Sequence, residues 1–277
     1  MNWLEALPEN RRRGSYCRCL LFMESDRRAV ARRLTDLVGI DDVVIGENDF
    51  WAPQGIPSCS TDGRWNTGPA QEAKLGETED LLSADDQSAI TRWWLACPSL
   101  NSNTPNWDIA STCTIEGKKG FLLVEAKAHD QELIKEEKGK SLKRGASNNS
   151  RANHDQIGNR ICQASAEFCK FTGLDWRLSR DSRYQMSNRF AWAWKLTDLG
   201  HPVVLVYLGF LLAGEMNDQG KPIADQADWE RMVVSHSRPL FPQEVWGRRW
   251  KVNGQTFLSL IRALNQPLNI SPGIKED

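Results

Sequence analysis

The spacing of apolar and polar residues predicts a mixture of helices and strands in the first half of the chain. Residues 26–38 place apolar side chains on one face and four arginines on the other, which is typical of an amphipathic helix. Ser83 is a good helix N-cap and predicts a helix over 84–96. Two apolar runs at 108–115 and 121–128 flank a polar segment with two glycines, and together they predict a β-hairpin.

The second half continues this mixture. Residues 129–153 are polar and lack a clear period, whereas apolar residues at helical spacing predict a helix from His154 to Phe171. A further helix over 185–199 leads into a continuous apolar run at 202–210, which is typical of a strand buried on both faces. Two more helical patterns follow, at 226–235 and 253–264. The chain is therefore expected to be a mixed α/β protein.

Composition excludes several classes of protein. The 277 residues carry 35 Lys+Arg and 36 Asp+Glu, so the net charge of -1 gives no global attraction for polyanions or membranes. A hydrophobic content of 40% excludes a disordered chain. The seven cysteines lack metal-binding spacing and indicate free thiols in a reducing compartment. There is no secretory signal, and the longest apolar run is shorter than the roughly 20 residues that cross a bilayer, so a cytoplasmic protein is expected.

One acidic-x-Lys triplet differs from the others in its setting. The triplet Glu125-Ala126-Lys127 directly follows the apolar run 121–124. Burying two charges there costs several kcal/mol unless they are paired or hold a metal. Because residues two apart on a strand share a face, Glu125 and Lys127 are expected to point the same way.

Asp108 joins them only in some registers of the hairpin. Partner positions that sum to 235 or 237 place Asp108 on the face of Glu125 and Lys127, whereas a sum of 236 places it on the opposite face. Two carboxylates and an ammonium suit Mg²⁺ or Mn²⁺, which take oxygen ligands and leave positions for water and phosphate. The sequence therefore predicts a metal site at this end of the hairpin, provided that the sum is odd.

Pro105-Asn-Trp-Asp108, followed after sixteen residues by Glu125-Ala126-Lys127, resembles the PD-(D/E)XK, or restriction-endonuclease-like, nuclease superfamily. The resemblance spans about residues 70–212 and implies an αβββαβ core with a mixed central sheet flanked by helices. It also implies that Asp108 and Glu125 bind Mg²⁺ or Mn²⁺, that the Ala126 carbonyl is a third ligand, and that Lys127 assists catalysis. Residues 1–68 are then an N-terminal accessory region packed on a core of 69–277 with C-terminal helices.

Two details of this pattern stay open. Asn106 and Trp107 separate Pro105 from Asp108, and no obvious strand lies between 96 and 108. The first core strand is therefore either missing or comes from an earlier segment such as 42–45. Many members of the family also use a glutamate from the first helix. The candidates are Glu72, Glu77 and Glu79, with a preference for Glu72 because Gly68-Pro69 can start a helix.

Two segments after the hairpin are expected to contact nucleic acid. The start of the predicted helix at 154 and the basic loop before it supply candidates, namely Lys143, Arg144, Arg151, His154, Gln156 and Arg160. The alternatives are an ordinary helix surface for the first segment and a solvated linker for the second. Trp192 and Trp194 are expected to pack in the core rather than to stack on bases.

These features favour a metal-dependent nuclease that hydrolyses phosphodiester bonds in DNA. It would act alone, as a homodimer, or as a subunit of a defence or repair system, without contact with a membrane. The first alternative is a catalytically silent nucleic-acid-binding or scaffold protein that keeps the nuclease fold. The second is a hydrolase of small phosphate esters, since the same chemistry serves both substrates.

Overall fold

The computed structural model describes residues 2–78, 80–99 and 104–268. In this part of the chain the α-helices are α1 (Ser15–Phe22), α2 (Arg27–Val38), α3 (Ala84–Trp94), α4 (Asp130–Glu136), α5 (Asn148–Thr172), α6 (Tyr184–Asp198) and α7 (Gln226–Ser237). The strands are β1 (Val43–Val44), β2 (Trp51–Ala52), β3 (Ser58–Cys59), β4 (Trp65–Asn66), β5 (Ala73–Lys74), β6 (Asn106–Trp107), β7 (Ile109–Ile115), β8 (Lys118–Lys127), β9 (Val203–Phe210), β10 (Arg249–Val252) and β11 (Gln255–Leu264).

A mixed sheet forms the centre of the molecule, with the strand order β1-β7-β8-β9-β11-β10 and with β2 also paired to β7. β7 runs antiparallel to β1, β2 and β8, whereas β9 runs parallel to both β8 and β11. Two short pairs, β3–β4 and β5–β6, lie outside this sheet. The expected α/β class is confirmed.

The β7–β8 hairpin turns tightly at Glu116 and Gly117, whose φ angles of 50° and 77° both lie in the left-handed region. Ile109 pairs with Val124, so partner positions sum to 233. The expected odd parity is confirmed, but both expected sums, 235 and 237, are wrong. The reason is local: a two-residue turn with two positive φ angles needs Gly at its second position, which Gly117 supplies and Lys119 does not.

The two faces of the sheet carry separate cores. Phe121 and Leu123 of β8 pack with α3, α5 and α6, while Leu122 and Val124 pack with α1 and α2 on the opposite face. Trp192 and Trp194 are buried in the first core, as expected. The sheet is therefore covered on both sides, and a polar side chain on either face enters a dry environment.

Several expected elements have different bounds. The segment 253–264 was expected to be a helix, but it is the strand β11 and the end of its turn, because it pairs with β9 and, through a turn at Asn253-Gly254, with β10. Helix α5 begins at Asn148, six residues before the predicted start at His154, since Ser147 caps it. The polar segment that follows β8 also contains α4, whose last residue, Glu136, contacts Lys127 of β8.

The N-terminal region enters the central sheet. β1 and β2 both lie within residues 1–68 and hydrogen-bond to β7, so a strand near 42–45, one of the two alternatives left open, joins the sheet. The basic face of α2 is exposed and engages local groups, for example Arg27 with two backbone carbonyls and with the ring of Trp51. Among the described residues, no helix combines the length and the apolarity needed to cross a bilayer.

Candidate active site

Strand β8 ends in two charged side chains on a buried face of the sheet. Glu125 is 1% exposed and Lys127 is 5% exposed. The Lys127 Nζ lies 2.5 Å from the Glu125 Oε1, which confirms that the two side chains share a face. Their burial follows from the packing of helices against the row that Phe121 and Leu123 begin.

Three donors surround the carboxylate of Glu125. Lys127 and Gln185 donate to Oε1, and the Arg189 Nε donates to Oε2 at 2.6 Å. Burial alone would raise the pKa of Glu125, but the charges of Arg189 and Lys127 outweigh it and lower that pKa. Glu125 is therefore ionised at neutral pH and fully hydrogen-bonded.

Lys127 lies between two carboxylates. Besides Glu125, its Nζ lies 2.6 Å from an oxygen of Glu136, the last residue of α4. Burial would lower the pKa of Lys127, but the two glutamates outweigh it and raise that pKa, so the side chain is an ammonium. Burial raises the pKa of Glu136 to about 7, although Lys127 opposes the shift.

His236 of α7 closes the far side of this group. Its Nε2 lies 3.8 Å from the Glu136 carboxylate. Burial, with the charges of Arg183 and Lys127, lowers the pKa of His236 to about 4, so the ring is neutral at pH 7. The contact is therefore not a pair of opposite charges.

Asp108 lies at the bend between β6 and β7. Its Oδ2 accepts a 2.7 Å hydrogen bond from the Ala126 N–H, which joins it to the backbone between Glu125 and Lys127. Burial and the neighbouring Glu125 charge raise the pKa of Asp108 well above its usual range. Among the described residues, no Lys, Arg or His ion-pairs with it, in contrast to Glu125 and Glu136.

Of the two upstream glutamates that the structure describes, Glu72 lies close to Asp108. It directly precedes β5, accepts a hydrogen bond from Asn106 of β6, and is close enough that its charge contributes to the raised pKa of Asp108. Glu77 pairs with Lys74 at the surface. Glu79 lies outside the described residues.

Arg189 holds the two halves of the site together. Its guanidinium pairs with Glu125 and lies 4.7 Å from the ring centroid of Trp107, the residue before Asp108. Both Gln185 and Arg189 come from α6, four residues apart and therefore on one helix face. This face of α6 positions the carboxylate of β8 relative to the bend that carries Asp108.

A cavity of about 370 Å³ opens beside Lys127. Its wall residues are Lys127, Glu132, Lys135, Glu136, Lys138, Tyr184 and Gln185. Lys135 and Lys138 are exposed and form no ion pair with any described residue. Glu132 is engaged by the Ala128 N–H and Ser15, and Glu136 by Lys127. The lining holds three lysines against two glutamates, so its formal charge is net positive.

The expected nucleic-acid contacts lie apart from this cavity. Gln156 and Arg160 donate to the carbonyl of Trp93 at the end of α3, where helix carbonyls lack partners within the helix. His154 contacts the Lys140 carbonyl, and Arg151 donates to the Ala146 carbonyl. Lys143 and Arg144 are exposed. No contact in the described structure links these six residues to Asp108, Glu125 or Lys127, and their role in nucleic-acid binding stays a prediction.

Four functional candidates were not predicted from the sequence: Glu136, Gln185, Arg189 and His236. For α6 a signal existed, because Gln185 and Arg189 are polar residues at i, i+4 in a helix that is otherwise almost entirely buried. Glu136 occurs in a polar segment with several similar acids, so nothing in its local sequence distinguishes it.

No protein-family model, curated protein or solved structure matches the chain.

Proposed function

We propose that the protein is a metal-dependent phosphodiesterase acting on DNA, with Asp108 and Glu125 as metal ligands and Lys127 as a catalytic residue. The observation that carries this proposal is the position of Asp108. Its carboxyl is held against the backbone of β8 beside the Glu125 carboxylate, without a cationic side chain of its own among the described residues. Burial and the repulsion from Glu125 raise the pKa of Asp108, and a divalent cation would offset both effects.

The donor set fits Mg²⁺ or Mn²⁺. Both ions prefer carboxylate and carbonyl oxygens, and Mg²⁺ is usually held by one or two carboxylates with water in the remaining positions. Asp108, Glu125 and the Ala126 carbonyl would supply such a set, with Glu72 as a further acid nearby. In the described part of the chain, no three acidic, His or Cys side chains already converge on one point, so water would complete the shell.

A bound divalent ion would lower the pKa of a coordinated water and offset negative charge on the phosphate. The chain's own contribution is the Lys127 ammonium at the floor of the cavity. Since Glu125 and Glu136 raise its pKa, Lys127 serves as a cation and hydrogen-bond donor rather than as a proton acceptor.

The strand order supports the resemblance to the PD-(D/E)XK superfamily. β1, β7 and β8 are antiparallel neighbours, helices α5 and α6 follow, and β9 returns parallel to β8. This arrangement is compatible with the αβββαβ core that the resemblance implies, although α3 lies between β1 and β7 in the chain. Asp108 would then precede the second core strand, and Glu125 and Lys127 would end the third. The positive charge of Lys135 and Lys138 at the cavity supports a polyanionic substrate.

The experiment is a cleavage assay on linear, nicked and single-stranded DNA with Mg²⁺, Mn²⁺ or a chelator. We expect metal-dependent cleavage that falls about 100-fold or more in Asp108→Asn and in Lys127→Met, as for removal of other groups that stabilise transition-state charge. Lys119→Met, on the exposed end of the same strand, is the matched control. Cleavage that persists in both site variants would overturn the proposal, and p-nitrophenyl phosphate tests the small-ester alternative.

A second function is favoured by a different observation. Lys127, Gln185 and Arg189 already satisfy the Glu125 carboxylate, which is what a nuclease fold retained as a catalytically silent nucleic-acid-binding or scaffold protein would show. That function predicts salt-dependent DNA binding without cleavage under any metal condition, and it predicts that Asp108→Asn leaves binding unchanged.

A further inference from the structure

We infer that Glu136 is a positioning residue for Lys127, the second carboxylate that holds the ammonium in the cavity when Glu125 turns toward a metal ion. This inference rests on the proposed function and adds a residue that the Asp108, Glu125 and Lys127 pattern does not contain. The two glutamates that flank Lys127 differ in how many hydrogen-bond donors and cations contact them.

Glu125 has more partners than it can keep on binding a metal. Its two oxygens are shared among Lys127, Gln185 and Arg189. Lys127 and Gln185 use the same oxygen, Oε1, while Arg189 uses the other. A metal ligand bond to Oε1 would therefore displace at least one of these two donors.

Glu136 is in the opposite situation. Its carboxylate is nearly inaccessible, with 5% of the side chain exposed, and its only ion pair with a Lys or Arg of the described chain is the one with Lys127. No described backbone N–H, hydroxyl or amide donates to either of its oxygens. A buried carboxylate with so few donors is costly, so Glu136 is held in place chiefly by Lys127.

The position of Glu136 fits this role. It ends α4, which packs against β8, and it lines the same cavity as Lys127 and Gln185. An ammonium displaced from Glu125 would otherwise rotate into solvent or leave the cavity floor. With the Glu136 carboxyl at 2.6 Å on its other side, Lys127 keeps one partner and stays at the floor of the cavity that a phosphate would enter.

The kinetic test compares Glu136→Gln with Glu137→Gln, which removes an exposed acid one residue further along. We expect Glu136→Gln to lower kcat for DNA hydrolysis about 10- to 100-fold, the range usual for residues that orient a functional group, with KM little changed. On a Lys127→Met background the same change should cost nothing further, because the residue that it positions is gone. An unchanged kcat, or a loss confined to KM, would overturn the inference.

A second measurement does not depend on cleavage. In protein labelled with ¹⁵N-lysine, the hydrogen-bonded Lys127 ammonium should give a signal that is identified by its disappearance in Lys127→Met. We expect Glu136→Gln to shift or broaden that signal and Glu137→Gln to leave it unchanged. If wild-type protein cuts no DNA, the proposed function fails, and a Lys127 signal identical in both glutamine variants would separately overturn the role of Glu136. Should Glu136→Gln not fold, Glu136→Asp, which keeps the charge but shortens its reach, carries the same tests.

Discussion

The two ends of the β7–β8 hairpin both carry clusters of charge, and they differ in their access to water. At the turn, Arg249 and Lys251 pair with Glu116, and Arg249 also pairs with Asp42. These side chains are between a third and two thirds exposed. At the other end, Glu125, Lys127 and Arg189 are almost completely buried.

The two clusters differ in the free-energy cost of placing their charges in the folded protein. Water solvates the charges at the turn whether or not they pair. Their ion pairs therefore add little to the free energy of unfolding, and their presence costs little. The buried charges have lost that solvation, and apolar side chains of similar volume are often no less stable at such positions. We therefore propose a chemical role for the buried group, which holds three acids, Asp108, Glu125 and Glu136, and two cations.

Removal of one buried cation should have the largest effect on stability. We expect Arg189→Met to lower the free energy of unfolding by about 3–5 kcal/mol, because it leaves Glu125 with too little compensation in a dry environment and removes the contact with Trp107. Urea denaturation at pH 7 measures the change. A loss no larger than that of a surface substitution would show that the buried group is not tightly coupled.

The buried end also predicts a pH dependence. Glu136 has a pKa raised from 4.5 to about 7, so its contribution to stability is complete below about pH 4.5 and is lost as the pH rises through 7. His236 has a pKa lowered from 6.5 to about 4, so its contribution is complete above pH 6.5 and is lost as the pH falls through 4. The two trends oppose each other between pH 4.5 and 6.5.

Glu136→Gln should remove only the first trend. The free energy of unfolding of the wild type relative to this variant should fall by up to roughly 3 kcal/mol between pH 4.5 and 7. Denaturation of both proteins across this range tests it, with Glu137→Gln as the matched variant. A difference that grows with pH would mean that Glu136 is held ionised.

The smallest effect is expected at the turn. Arg249→Met should lower the free energy of unfolding by about 1 kcal/mol or less, and the loss should shrink in high salt, since exposed pairs are screened. Comparison with Arg189→Met in the same urea series sharpens the contrast, because both substitutions remove one arginine that pairs with a glutamate. Equal losses of unfolding free energy in Arg189→Met and Arg249→Met would show that the buried and exposed ion pairs do not differ in their contribution to stability.

The sequence predicted the parts of this site that depend on local pattern. The period of two along β8 places Glu125 and Lys127 on one face, and the register has the odd parity that the prediction required. Asp108 itself joins them through the Ala126 N–H. The register itself depends on the conformation of Glu116 and Gly117, which the pattern of apolar residues does not encode. Strand β11 was missed for a similar reason: an apolar run is compatible with a helix until its pairing with β9 is known.

The partners of the buried charges could not be predicted because they are distant in sequence. Arg189 meets Glu125 across 64 residues, and Gln185 does so across 60. His236 lies on α7, which follows β9 in the chain and contacts the site through Glu136. The local sequence pattern thus predicts the charged residues at the end of a strand, whereas tertiary packing determines which distant side chains pair with those charges.

We propose that the buried end of the hairpin binds a divalent metal through Asp108. Titration of Mn²⁺, followed by electron paramagnetic resonance of the free ion, tests it without a substrate. Wild-type protein should bind Mn²⁺, Asp108→Asn should bind at least about tenfold more weakly, and Asp42→Asn at the exposed turn should bind like the wild type. No binding by the wild type, or equal binding by Asp108→Asn, would contradict the account.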